Sequence, residues 1–222
     1  MDLYLFNKLL VRFKALLFPL LLFGIIWMFS CQKPGLPLPP TAASSRYPNV
    51  VETDRGLAII WFEPVQEGHA LKWSEFNGRS WSNPVIITSG LEYFINWADF
   101  PSIFYNGKNH FAVHWLEKNG SGPYDYVVKV AQSYNRGRSW SAPIIPHQDN
   151  ENGEHGFVSF FNVNDNKIGL VWLDGRNMVT EGHEVGYGQM ALYSTTMDKD
   201  GGLGKEILLD DRVCECCPTS AI

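Results

Sequence analysis

The segments SEFNGRSWSNP (74–84) and SYNRGRSWSAP (133–143) are near-copies of one hairpin signature, 59 residues apart. A long-period repeat decides an architecture before local propensity does, because each unit must bury its apolar face against the next. Other landmarks keep step. Apolar strands carrying a Trp recur as GLAIIWFEP, HFAVHWLEK and KIGLVWLDG, with Trp61, Trp115 and Trp172 separated by 54 and 57 residues. A third signature starts at Ser194, where the Gly-x-x-Trp half has decayed to Gly201, Gly202 and Gly204.

Each unit reads as four strands. Strand A is PNVVE, PSIFYN or FVSFFNV; a polar turn leads to the Trp-bearing strand B; strand C is HALKWS, YVVKVAQS or QMALYS; the hairpin signature then leads to strand D, PVIIT, PIIPH or EILLD. These runs are short, rich in β-branched and aromatic residues and bounded by Gly, Asn, Asp and Pro, as strands are. Four-stranded sheets repeating in this way are the blades of a β-propeller, with a β-sandwich as the alternative. The expected fold is therefore all-β, with blades over 46–92, 97–150 and 155–210 and the start of a fourth over 211–222. Propellers close with about four to eight blades. Three blades suggest the N-terminal portion of a larger propeller, or a homodimer completing the ring if the chain ends at 222.

Ahead of the repeats, Lys8, Arg12 and Lys14 precede fifteen apolar residues, Ala15 to Phe29. That is the pattern of a signal peptide over 1–30 rather than of a spanning helix. Ser30-Cys31 after it resembles the lipobox of bacterial lipoproteins, which implies a lipidated Cys31 and an exported, membrane-anchored protein. Residues 31–45 then form a Pro-rich tether. Without residues 1–30 the chain has 15 basic and 22 acidic residues, a formal charge of −7. An acidic domain with no basic run excludes nucleic acid as the expected partner. Three cysteines remain, Cys214, Cys216 and Cys217, an odd number for an oxidising compartment. No fourth ligand accompanies them in the sequence, so no metal and no cofactor are expected.

The segment Ser133-x-Asn135-x-Gly137-x-x-Trp140 resembles the Asp-box, S-x-D-x-G-x-x-W, of the sialidase (neuraminidase) superfamily of six-bladed propellers. The copy with Ser74, Gly78 and Trp81 departs further, with Phe76 in the Asp position. The resemblance extends over about residues 46–222, and NWADFPS, EHGFVS, WLDGR and CECC are similar to strings in secreted bacterial sialidase-like proteins. It implies that the box is a structural fastener in the C–D turns, opposite the active site. It also implies a glycan substrate, held by Arg residues through its carboxylate, with a Tyr nucleophile, a Glu activating it and an Asp as acid/base.

If the C–D turns lie at the bottom, the B–C loops and the D-to-A crossovers share the top. The crossovers then bring Arg46, Asp99, Glu154 and His155 to one face, and the B–C loops bring Glu63, Glu67, His69, Glu117, Asp174 and Arg176. Asp99, Glu154 and His155 are the candidates for proton transfer; Arg46, Asp174 and Arg176 are the candidates for holding an anionic sugar. Arg46 in R-Y-P matches the first Arg of the family's R-I-P. The competing readings are that Asp99 and Asp174 bond loop amides, that Glu154-His155 caps a strand, and that His110 and His114 are half-buried strand residues. The two functions in view are glycoside hydrolysis and non-catalytic binding of glycans or proteins. No nucleotide-binding or serine-hydrolase motif is present.

Overall fold

The computed structural model describes residues 35–149, 152–178 and 188–222. Cys31 and the signal segment 1–30 lie outside the described residues. The described residues of the body Leu38–Ile222 form eleven strands in three antiparallel sheets, and no described helix is long and apolar enough to cross a membrane. The first sheet runs β1 (Arg46–Thr53), β2 (Gly56–Pro64), β3 (His69–Phe76) and β4 (Val85–Gly90). The second runs β5 (Ser102–Tyr105), β6 (Phe111–Lys118) and β7 (Tyr126–Ser133). The third runs β8 (His155–Asn164), β9 (Lys167–Asp174), β10 (Met190–Asp198) and β11 (Ile207–Val213). In each sheet the strands pair in chain order. This is the meander of a propeller blade, and the fold is three blades of a β-propeller.

Two strand expectations are corrected. PIIPH makes no strand: only Ile144 pairs with Val130, through two backbone bonds of 2.9 Å, so the middle blade has three strands. The cause is Pro143 and Pro146, which have no N–H to give to a ladder. At the end of the third blade, β11 continues to Val213, so residues 211–213 complete that blade instead of starting another.

Each blade is built around its strand-B Trp. Trp61, Trp115 and Trp172 are all fully buried. Removing roughly 200 Å² of surface per ring from water contributes about 5 kcal/mol each, as an upper figure. One apolar cluster joins the first two blades through Ile60, Trp73, Phe111 and Trp115; a second joins the next two through Leu116, Tyr126, Phe160, Leu170 and Trp172. The inner strands also touch across blades: Ile103 N donates to Asn49 Oδ1 at 3.0 Å, and Asn106 Nδ2 to the Asn164 carbonyl at 2.9 Å.

The hairpins behave as fasteners. Ser133 Oγ accepts from Gly137 N at 2.8 Å and Asn135 Oδ1 from Ser139 N at 3.0 Å, with Gly137 at φ 71°. A Cβ on Gly137 would lie 2.6 Å from the Trp73 ring, so this turn seats on the preceding blade. Arg136, in the same turn and 6% exposed, ion-pairs with Glu75 and with Asp54 across the blade boundary. In the first copy, Ser74 Oγ donates to the Ser82 carbonyl at 2.8 Å and Gly78 takes φ 88°. Its turn acceptor is Asn77, whose Oδ1 takes bonds of 3.0 Å from Arg79 N and Ser80 N; Phe76 instead packs at a tilt against Trp81, ring centroids 5.3 Å apart. The third box lies one residue later than Ser194: Thr195 Oγ1 donates to the Gly204 carbonyl at 3.0 Å as Ser74 Oγ does to that of Ser82, Asp198 Oδ1 accepts from Asp200 N at 2.9 Å and Gly202 N at 2.7 Å, and Leu203 pairs with Met197 where Trp81 pairs with Phe76.

Candidate functional site

With the C–D turns at one end, antiparallel strands bring the starts of β1, β5 and β8 and the ends of β2, β6 and β9 to the other. A repeated kink shapes the start of strand A. Tyr47 and Phe157 both have positive φ, 53° and 52°, and both sit in register shifts of their strands. Bulges of this kind re-aim neighbouring side chains at the rims of sheets, and non-Gly residues held at positive φ store strain that clusters at functional sites. By sequence the two kinks and the entry to the middle blade align as Arg46-Tyr47-Pro48, Gly156-Phe157-Val158 and Asp99-Phe100-Pro101, the last without a positive φ. The side chain before the aromatic is therefore long and basic in the first blade, acidic in the second and absent in the third.

That absence positions Asp99. A Cβ on Gly156 would lie 1.9 Å from Asp99 Oδ2, so the carboxyl occupies the space a side chain would fill. There it accepts a 2.7 Å bond from Phe157 N and is 4% exposed. Burial pushes its pKa up to about 7 and the nearby Glu154 charge adds to that, against the Phe157 amide. Beside it the Tyr126 hydroxyl donates to Glu154 Oε1 at 2.7 Å. Burial raises the Glu154 pKa too. Tyr126 is 1% exposed and lies flat on Phe94, with ring centroids 4.0 Å apart. A cavity of about 160 Å³ opens against Asp99, Phe100, Ser102, His114, Phe157 and Thr219. The Ser102 backbone N–H donates to His114 Nδ1 at 3.3 Å and Ser102 Oγ lies 2.8 Å from the same nitrogen, which assigns the ring proton to Nε2, a nitrogen buried without a hydrogen-bond partner in the structure. Burial holds His114 neutral, its pKa lowered to about 3.

The other sequence-predicted residues fall into two groups. His155, Asp174 and Arg176 join one network with Asp149, His147 and Glu206. Asp174 is fully buried and accepts from Trp172 Nε1 at 2.7 Å, from Arg176 Nη2 at 2.6 Å and from Arg176 Nε at 2.7 Å. Arg176 also reaches Glu206 at 3.1 Å and lies 4.0 Å over the Tyr193 ring. His155 is fully buried, 2.9 Å from Asp149 Oδ2 and stacked on His147 at 3.8 Å. Burial opposes its protonation, yet the bond to Asp149 and the Asp174 charge raise its pKa overall. Asp174 thus joins Arg176 on one side and His155 on the other. Arg46 stands apart, exposed at the start of β1.

A repeat that organises this end went unread in the sequence. Each strand-B Trp donates its indole N–H to a carboxylate two residues on: Trp61 to Glu63 at 3.1 Å, Trp115 to Glu117 at 2.8 Å, Trp172 to Asp174 at 2.7 Å. Residues two apart on a strand share a face, so the spacing W-x-[E/D] was a usable signal. Each carboxylate also holds a cation, from Lys72 at 2.5 Å, Lys129 at 3.6 Å or Arg176. The Tyr126–Glu154 and Ser102–His114 pairs carried no such signal, because they join residues of different strands.

No protein-family model and no curated protein matches the sequence. Among solved structures, the chain is similar to the catalytic domain of a GH62 alpha-L-arabinofuranosidase from Coprinopsis cinerea, at 14% identity and TM-score 0.44, covering 76% of this chain and 51% of that one. It is also similar to a mutant of the alpha-L-arabinofuranosidase arb93a from Fusarium graminearum in complex with an iminosugar inhibitor, at 15% identity and TM-score 0.44, covering 78% and 50%. The chain spans about half the length of these structures.

Proposed function

We propose that this chain belongs to an exported glycan-processing propeller, a glycoside hydrolase in which Asp99 is the proton donor. The observation that carries the reading is the buried Asp99 carboxyl, slotted against Gly156 beside the Tyr126–Glu154 pair and lining a cavity at the loop end of the blades. A carboxyl held near pH 7 is protonated often enough to hand a proton to a leaving glycosidic oxygen and can take one back from water. Glu154 supplies a second carboxyl, fixed by Tyr126. The finer reading, by resemblance to sialidases, is an acidic glycan whose carboxylate Arg46 holds through its planar guanidinium. Tyr126, buried and donating to Glu154, acts in this reading as a positioning group for that carboxyl.

The test is release of aryl leaving groups from a panel of sialosides and neutral glycosides by the exported protein, with Asp99→Asn beside it. The expected result is turnover whose high-pH limb falls near 7 and which Asp99→Asn abolishes. No turnover of any glycoside, together with glycan binding unchanged in Asp99→Asn and Arg46→Ala, overturns the hydrolase reading. The second reading, a propeller that binds glycans without cleaving them, is favoured by Asp174, Arg176 and His155 being committed to one another; it predicts array binding without turnover.

A further inference from the structure

The three cysteines after β11 are unrelated to the proposed proton donor and carry a separate inference. In an extended strand, successive side chains point to opposite faces, so three thiols at 214, 216 and 217 could not converge. Here the chain turns at Glu215 and Cys216. The three Sγ atoms lie within 4.8 Å of one another, with Cys214 and Cys216 3.6 Å apart. All three are exposed and none is in a disulfide.

Both ends of the turn are held. Val213 pairs with Met190 and packs on the cluster of Phe157, Leu173 and Met190. Beyond it, the Thr219 hydroxyl bonds the Phe157 carbonyl and lies 2.8 Å from Ser159 Oγ. The thiols are thus presented at the loop end of the third blade by a segment anchored on either side.

We propose that Cys214, Cys216 and Cys217 bind one soft, thiophilic metal ion through three thiolates, of the Cu(I) class. Thiolate sulfur selects soft ions, and the described residues bring no imidazole or fourth thiol to the group. A structural Zn(II) site calls for four ligands, whereas a monovalent d¹⁰ ion is satisfied by three sulfurs in a plane. Binding forms three metal–sulfur bonds and releases three thiol protons to water. The ion arrives as Cu(I), so no electron is transferred.

The experiment uses the full chain, reduced and held without oxygen, titrated with Cu(I) against a chromogenic Cu(I) chelator and, in parallel, with Zn(II) against a zinc dye. The expected result is one Cu(I) withheld from the chelator per chain, near-ultraviolet sulfur-to-metal absorption, and loss of all three thiols from reaction with a disulfide reagent. Cys214→Ser, Cys216→Ser and Cys217→Ser should each weaken binding more than about tenfold, the lower end of the effect of an outer-shell change, with far-ultraviolet dichroism unchanged. Thr219→Ala, which frees the anchor and leaves the ligands intact, should weaken it less. Failure to withhold Cu(I), retention of Zn(II) alone, or an exported protein lighter by two hydrogens with one reactive thiol would each overturn the proposal.

Discussion

Gly156→Ala is the sharpest test of how Asp99 is positioned. Gly156 has no positive φ, so Ala introduces no backbone strain. The added methyl would stand 1.9 Å from Asp99 Oδ2 and 3.1 Å from Tyr126 Cε2. One neighbour is ring and backbone-fixed; the carboxyl must therefore move, and its 2.7 Å bond from Phe157 N is lost. An orphaned buried amide costs about 1–3 kcal/mol and the overpacking a further 1–3 kcal/mol, against roughly 0.4–1 kcal/mol gained by stiffening the unfolded chain. The net loss is about 3 kcal/mol, which for a chain of this size is roughly 6–12 °C in Tm. Urea and thermal unfolding would measure it in two backgrounds. In Asp99→Ala the space is already empty, so Gly156→Ala should cost less than about 1 kcal/mol, a coupling of about 2 kcal/mol. Equal losses in both backgrounds, within about 0.5 kcal/mol, would show that Gly156 is not reserved for the Asp99 carboxyl.

Three further outcomes are expected. Asp99 has a folded pKa raised to about 7, so its contribution to stability is full below its unfolded value of 3.8 and is lost as pH rises through about 7. Wild type should lose stability relative to Asp99→Asn between about pH 4 and 7, by up to a few kcal/mol at about 1.4 kcal/mol per unit, in denaturant midpoints taken across that window. Arg136→Ala leaves the half-buried Glu75 carboxylate without its guanidinium and should cost about 3 kcal/mol, while Arg138→Ala in the same turn, whose side chain is exposed, should stay within about 0.5 kcal/mol. Asn77→Ala removes the acceptor for two turn amides and should cost about 1 kcal/mol by analogy with a helix cap, a loss that thermal melts would detect and that assigning the Asp position to Phe76 does not predict.

The strands were the most legible feature. Strand C of the second unit, YVVKVAQS, and strand B of the first, GLAIIWFEP, have the bounds read from the sequence, because alternating apolar residues between turn formers are a local signal. The failures were also physical. PIIPH has the composition of a strand, yet two prolines cancel its ladder. In the first hairpin the acceptor is Asn77, the residue following the expected position, since what a turn requires is an oxygen aimed at its amides, and adjacent positions can supply it. Of the candidate site, sequence reasoning named Asp99, Glu154 and His155 by their place in the crossovers. It read His114 only as a strand residue and did not name Tyr126 or Ser102, whose partners are distant in the chain, nor Asp149, which bonds His147 and His155 in a segment without a strand pattern.

The sequence by itself determined the repeat, the all-β class and the end of each blade at which loops gather, because period, alternation and turn chemistry are properties of neighbouring residues. Only the tertiary structure decided which polar groups are available. Arg46 and Arg176 look alike on paper; one is exposed, and the other is forked onto Asp174 and covered by Tyr193 and Glu206. Asp99 and Asp174 are both acids beside turns, yet one is placed in a slot left by a glycine with its pKa raised by burial, and the other beside an arginine that lowers it. A carboxyl's chemistry is set by the charges and the solvent around it, and those come from chain segments that meet only when the blades pack.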